Sequence, residues 1–209
     1  CYPCEVLMAS TFDIPLMGEL GKIFGTEAMH RNVLGVYAPG ANIHRTASGG
    51  RNWEYYSEDP FLSGKMLAAE VRGIQQSGVI VFTKHLVLND QETNRTGHPT
   101  WLTEQAMRQI YLRPFEIAIE IGDAMNVMIA FNNIGGCWGG SNYNLMTRWL
   151  RGEAGMAGFA VSDWYSSDNE NIGYGMLAGT DLLDGVSAPC LSIGNDPRYD
   201  NCLVKSATR

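Results

Sequence analysis

Phe159-Ala160-Val161-Ser162-Asp163-Trp164 is a short apolar run that ends in a polar cluster. A run this short, mostly apolar and without strict alternation, reads as a buried strand. The same pattern recurs at residues 6–9, 34–38, 79–82, 127–131 and, more weakly, 181–183. The stretches between these runs are helical in pattern. Over 14–29, Leu20, Ile23, Phe24 and Ala28 fall at helical spacing. Ser57-Glu58-Asp59-Pro60 is a helix start, with Asp59 placed to cap and Pro60 at the first helical position. The helix it opens puts Leu67, Val71 and Ile74 on one face and ends near Gly78. From Thr103 on, Ala106, Met107, Ile110 and Tyr111 repeat at three and four, and Pro114 should kink or restart that helix. A shorter helix is expected over 144–150, ending near Gly152.

Strand and helix alternating about six times predicts a parallel α/β fold. An open doubly wound sheet usually carries a Gly-rich phosphate turn after its first strand. Here the first run is followed by Ser10-Thr11-Phe12-Asp13, which is nothing of the kind. A barrel is favoured by where the polar residues fall. Asn42-Ile43-His44-Arg45, Lys84-His85, Asn132-Asn133 and Ser162-Asp163-Trp164 each close a strand. Barrel enzymes build their sites from the C-terminal ends of several strands. A full barrel takes about 250 residues. The 209-residue chain is therefore expected to be an incomplete (β/α)8 TIM-type barrel with about six of eight units, a single domain over 1–209 with an irregular tail over 186–209. Open strand edges associate readily, so self-association or dependence on a partner segment is expected.

The formal net charge is -7 and the pI about 5.0, which excludes a basic nucleic-acid footprint. No Lys/Arg run suits an anionic membrane surface, and nothing approaches the roughly 18 uninterrupted apolar residues of a membrane span. No signal peptide is visible. The chain is either cytoplasmic or a mature or trimmed product, and a secreted or periplasmic location is favoured. The cysteines Cys1, Cys4, Cys137, Cys190 and Cys202 match no zinc template. Cys190 and Cys202 either close a loop in an oxidising compartment or stay free thiols. The histidines lack ligand spacing, so neither a metal nor a cofactor is expected, and a metal-dependent barrel hydrolase finds little support.

A carboxylate leaving a buried strand beside an indole fits sugar chemistry. Asp163 can attack or stabilise an oxocarbenium-like centre, and Trp164 offers an apolar face to a pyranose ring. The alternative is that Asp163 caps a helix starting near Ser166. Lys84 and His85 can hydrogen-bond vicinal hydroxyls, or form a structural ion pair with Asp163 or Glu92. Gly49-Gly50 permits a tight loop that aims Arg51 inward. Arg95 can do likewise or pair with Glu92. Met128 and Phe131 read as core.

Several ordered blocks closely resemble the signature of glycoside hydrolase family 3. They are Asn42-Ile43-His44-Arg45, Gly49-Gly50-Arg51-Asn52-Trp53-Glu54-Tyr55-Tyr56-Ser57-Glu58-Asp59-Pro60, Lys84-His85 with Asn89, Gln91-Glu92 and Asn94-Arg95, the 158–164 segment, and Ala178-Gly179-Thr180-Asp181-Leu182. The resemblance implies a retaining β-glycosidase, with Asp163 matching the nucleophile. It makes Arg51, Lys84, His85 and Arg95 the residues that hold the sugar, and Met128 and Trp164 the walls. Phe131 departs from the tyrosine usual in the family's β-glucosidases, whose hydroxyl lies near the nucleophile. The loop at 86–95 lacks the Asp-His acid/base of the family's β-N-acetylglucosaminidases, which points to the β-glucosidase branch. That branch takes its acid/base glutamate from a C-terminal α/β domain not seen in this sequence, and the first barrel strand with its sugar-binding aspartate is also missing. The implied substrate is a terminal β-linked glucoside or short oligosaccharide, with xylosides as the near alternative. Asp168 and Glu170 sit on a surface-like stretch, where exposed charge is the default. A sugar-binding remnant without turnover is the second reading.

Overall fold

The structure is a computed structural model of the chain and describes residues 1–164 and 172–184. Five parallel strands form the main sheet: β1 (Gly35–Val36), β2 (Ile80–Leu86), β4 (Asn126–Ile129), β7 (Ala160–Trp164) and β8 (Leu182–Asp184). They lie side by side in chain order, β1-β2-β4-β7-β8, and the sheet curls as part of a barrel. Representative pairs are Val36 with Val81, Thr83 with Val127, and Met128 with Val161. Helices cross between them and cover one face: α3 (Pro60–Gln76), α5 (Arg113–Gly122), the helical segment Asn144–Glu153 and α6 (Ile172–Ala178). The core sits between sheet and helices. Val81, Val127, Ile129 and Ala160 meet Met66, Leu67, Val71, Phe115, Ala118, Met146 and Leu150 there, all nearly free of solvent. A small second sheet joins the loop after β2 to the loop after β4: β3 (Pro99–Thr100), β5 (Asn133–Ile134) and β6 (Cys137–Trp138).

The expected α3 forms as read. The Asp59 carboxylate accepts from Leu62 N–H at 2.6 Å, Pro60 opens the helix, and Leu67, Val71 and Ile74 are buried. The segment from Thr103 opens with α4 (Glu104–Ala106) and behaves as expected at Pro114, where α5 starts afresh. The turn before it, Met107–Tyr111, widens to i→i+5 bonding, and so does Asn144–Glu153.

Two expectations are corrected. Residues 6–9 are not a strand but lie within a short helix, α1 (Glu5–Ala9). Four apolar residues fit either state. Here Leu7 and Met8 N–H bond back to the Cys4 carbonyl, and Leu7 is left 59% exposed, which a buried strand would not allow. The described residues therefore hold five barrel strands rather than about six. Helix α2 (Ile14–His30) forms as read, with Ala28 buried, Leu20 and Phe24 packed against the core and Ile23 left exposed; it also buries Met17, Gly21 and Gly25. Its glycines lie at a close crossing with α3. A Cβ on Gly73 would lie 2.3 Å from the Gly18 carbonyl oxygen, and one on Gly21 would lie 2.4 Å from that of Glu70.

Cys1, Cys4 and Cys137 are free thiols. Cys190, Cys202, Ser166, Asp168, Glu170 and the 186–209 tail lie outside the described residues. No described helix is long and apolar enough to cross a membrane, and no described cluster of His, Cys, Asp and Glu is arranged to hold a metal.

Candidate active site

The site is built at the C-terminal ends of β2, β4 and β7. The loop after β1 runs alongside the end of β2: Ala41 N–H donates to Lys84 O at 2.6 Å, and Lys84 N–H to Pro39 O at 3.0 Å. Asn42 then clamps the His85 main chain, accepting its N–H on Oδ1 at 2.9 Å and donating from Nδ2 to its carbonyl at 2.9 Å. The turn that carries Arg51 meets the loop after β2 at Gly50, where an added Cβ would come within 3.0 Å of Glu92 Cγ. A side chain at Gly50 would require Glu92 to give by a few tenths of an ångström.

Glu54 draws the cations together. Arg51 donates to it through Nε and a terminal nitrogen, both at 2.7 Å, and Lys84 Nζ reaches Oε1 at 2.6 Å. Burial pushes the Glu54 carboxyl up, but the bonds from Arg51 and Lys84 outweigh it and hold it below the usual carboxylate range. Glu92 is the second anchor. It pairs with Arg95 at 3.2 Å and with Arg51 at 3.8 Å, and it accepts from Asn89 at 3.2 Å. The Arg95 guanidinium lies 4.6 Å from the centroid of the Phe131 ring.

Asp163 leaves β7 into this cluster. Its Oδ1 accepts the Trp164 N–H at 2.7 Å, and its Oδ2 lies 3.4 Å from His85 Nε2. Burial raises its carboxyl above the ordinary aspartate value, against the pull of the Trp164 N–H, Arg95, Arg51 and Lys84. His85 is pushed well below the usual histidine range, first by burial and then by Arg51, Lys84 and Arg95. Asp163 keeps 17% side-chain exposure, Lys84 16% and Arg95 27%, so the cluster is sheltered yet reachable.

The structure thus brings Arg51, Lys84, His85, Arg95 and Asp163 together, with Phe131 against Arg95. Met128 is buried on β4, paired with Val161 two residues before Asp163. The Trp164 indole stands 66% exposed beside the cluster. Lys84 pairs with neither Asp163 nor Glu92, since Glu54 takes it instead. The roles of Glu54, Asn42, Tyr55 and Asn89 escaped the sequence reading. They work through partners about 30 to 40 residues distant, and only their presence in the quoted blocks marked them.

The Glycosyl hydrolase family 3 N terminal domain matches residues 1–182. Beta-glucosidase A of Butyrivibrio fibrisolvens is 40% identical over 189 residues, covering 88% of this chain and 22% of that protein. A beta-glucosidase of Ruminococcus albus is 41% identical over 168 residues, covering 80% of this chain and 18% of that protein. Among solved structures, beta-glucosidase 3B of Thermotoga neapolitana in complex with alpha-D-glucose superposes with a TM-score of 0.87 at 40% identity, covering 98% of this chain and 28% of that one. The chain spans about a fifth of the length of these curated relatives. By motif order, barrel topology and likeness to these proteins, the chain belongs to glycoside hydrolase family 3 and forms part of its N-terminal barrel domain.

Proposed function

We propose that this barrel segment serves a retaining β-glycosidase that removes terminal, non-reducing β-D-glucosyl residues, with Asp163 as nucleophile. The observation that carries the reading is the placement of Asp163: a sheltered carboxylate among three cations, with one oxygen held by the Trp164 N–H and the other open to the cluster. In the first step Oδ2 attacks the anomeric carbon and the glycosidic oxygen departs with a proton. In the second, water attacks the anomeric carbon of the glycosyl–Asp163 ester, gives its proton to the carboxylate that acted as acid in the first step, and the Asp163 carboxylate leaves. Arg51, Lys84 and Arg95 donate to the sugar hydroxyls, and Met128, Phe131 and Trp164 shape the apolar sides. The relative from Thermotoga neapolitana, which binds glucose, supports a glucoside over a xyloside.

A retaining site needs a second carboxyl about 5–5.5 Å from the first. Glu54 and Glu92 are nearby, but both are engaged by cations, and Glu54 is held ionised. Neither suits proton donation. We assign the acid to a carboxyl outside the described residues. An aryl glucoside bypasses that need, because p-nitrophenolate leaves without a proton. The chain should release p-nitrophenol from its β-glucoside, and Asp163→Ala should abolish this, while an active Asp163→Ala would sink the assignment. The engagement of Glu54 and Glu92 by cations favours one further reading, sugar binding without turnover. Glucose binding with no p-nitrophenol release would establish that reading instead.

A further inference from the structure

The hydrogen-bond partners of His85 determine where its ring proton sits. Asn42 has an unambiguous orientation: its Oδ1 faces the His85 main-chain N–H, which only donates, and its Nδ2 faces the His85 carbonyl, which only accepts. The same Oδ1 lies 3.3 Å from His85 Nδ1. An amide oxygen cannot donate, so Nδ1 must carry the proton. Tyr55 is compatible with this. Its hydroxyl lies 3.3 Å from Nδ1, already accepts from Asn89 Nδ2 at 2.9 Å, and can act in either direction. On the other side of the ring, an Arg51 N–H points at Nε2 from 3.2 Å. Guanidinium only donates, so Nε2 presents its lone pair to Arg51; Asp163 Oδ2, an acceptor 3.4 Å from Nε2, competes for a proton there from the longer distance. Burial and three neighbouring cations also keep the ring neutral.

We infer that Asn42 is a positioning residue that locks His85 in its Nδ1–H form, so that Nε2 meets the substrate as a hydrogen-bond acceptor. Arg51, Lys84 and Arg95 can only donate. A sugar hydroxyl that accepts from one of them still needs a place for its own hydrogen, and Nε2 supplies it. The Arg51 contact is no obstacle, because Arg51 has shorter bonds to Glu54. The lock has a second effect. An unprotonated Nε2 gives Asp163 Oδ2 no proton, so the carboxylate keeps the lone pair with which it attacks. The acceptor role rests on the sugar-site reading proposed above; the tautomer does not.

The test is a two-bond ¹H–¹⁵N correlation spectrum of the ¹⁵N-labelled chain at pH 7, with the His85 signals assigned from the spectrum of His85→Gln. The expected result is a pyrrole-like Nδ1 and a pyridine-like Nε2, with Nε2 shifting towards the pyrrole side as glucose is added. Asn42→Leu should lose the lock, giving mixed tautomers and about tenfold weaker glucose binding. Asn42→Asp, which keeps the acceptor oxygen, should restore the Nδ1–H pattern. A protonated Nε2 in the unsubstituted chain overturns the inference whatever the chain binds, and this holds even if Asn42→Leu fails to fold. An unprotonated Nε2 that ignores saturating glucose, with no glucose binding by calorimetry, instead overturns the sugar-site reading and the acceptor role with it.

Discussion

Glu54 shows how a single side chain can organise a site without touching the chemistry proposed for it. It holds Arg51 and Lys84 in place, at 13% side-chain exposure. Removing the charge leaves two cations facing each other. Glu54→Gln should lower unfolding stability by about 3 kcal/mol, the usual cost of breaking a sheltered ion pair, and a urea titration measures it. Asp163 carries a different prediction. Its carboxyl is raised by burial above the ordinary 3.8, so the acid limb of kcat/KM should lie above that pH. The resemblance places a tyrosine hydroxyl near this carboxylate where the chain has Phe131. Phe131→Tyr adds a donor to the charged form and should move the limb down. An unmoved limb in the pH–rate profile would show that the new hydroxyl does not reach Asp163.

At the scale of elements, legibility followed how local the determining forces are. Helix α3 was readable because its cap, its proline and its apolar stripe all lie within its own sequence. Asp163, Lys84 and His85 were readable because each sits where an apolar strand turns polar. Residues 6–9 were misread because four apolar residues carry no period, and main-chain bonding to Cys4 decides the matter. The stripe on α2 is legible in Leu20, Phe24 and Ala28, but its glycines are invisible to a hydrophobic pattern, although they set how near α3 can come. Gly73→Ala would drive a methyl against the Gly18 carbonyl and should cost about 2 kcal/mol by thermal or urea unfolding. A change below a few tenths of a kcal/mol would mean the two helices part without penalty.

For the whole molecule, the buried carboxyls Glu5, Glu70 and Asp90 shape the response to pH, Asp90 being pushed up to about 7 by burial. Glu70 is pushed up to about 7 by burial, although the Tyr56 hydroxyl donates to it at 2.6 Å and pulls the other way. Glu5, which accepts the Gly40 N–H, is also raised well above its usual value, by burial and by Glu70. Unfolded, Glu70 releases its proton near 4.5; folded, it keeps the proton to about 7. Between these values the folded chain binds more protons, so stability is greatest below the window and falls as pH rises through it, by about 3 kcal/mol. Glu70→Gln should make that fall shallower in a series of melting curves from pH 5 to 8, leaving the part due to Asp90. A decline as steep as in the unsubstituted chain would remove Glu70 as its cause.

The order of the main sheet, β1-β2-β4-β7-β8, is also the order of synthesis. Each described strand emerging from a ribosome finds its neighbour already laid down, and among the described residues no later strand has to wedge between two earlier ones. Growth occurs only at the rims. The fold can thus be assembled like a fan opened blade by blade, and strands added at either rim, even on a separate polypeptide, would extend the barrel without disturbing the Asp163 cluster between β2 and β7.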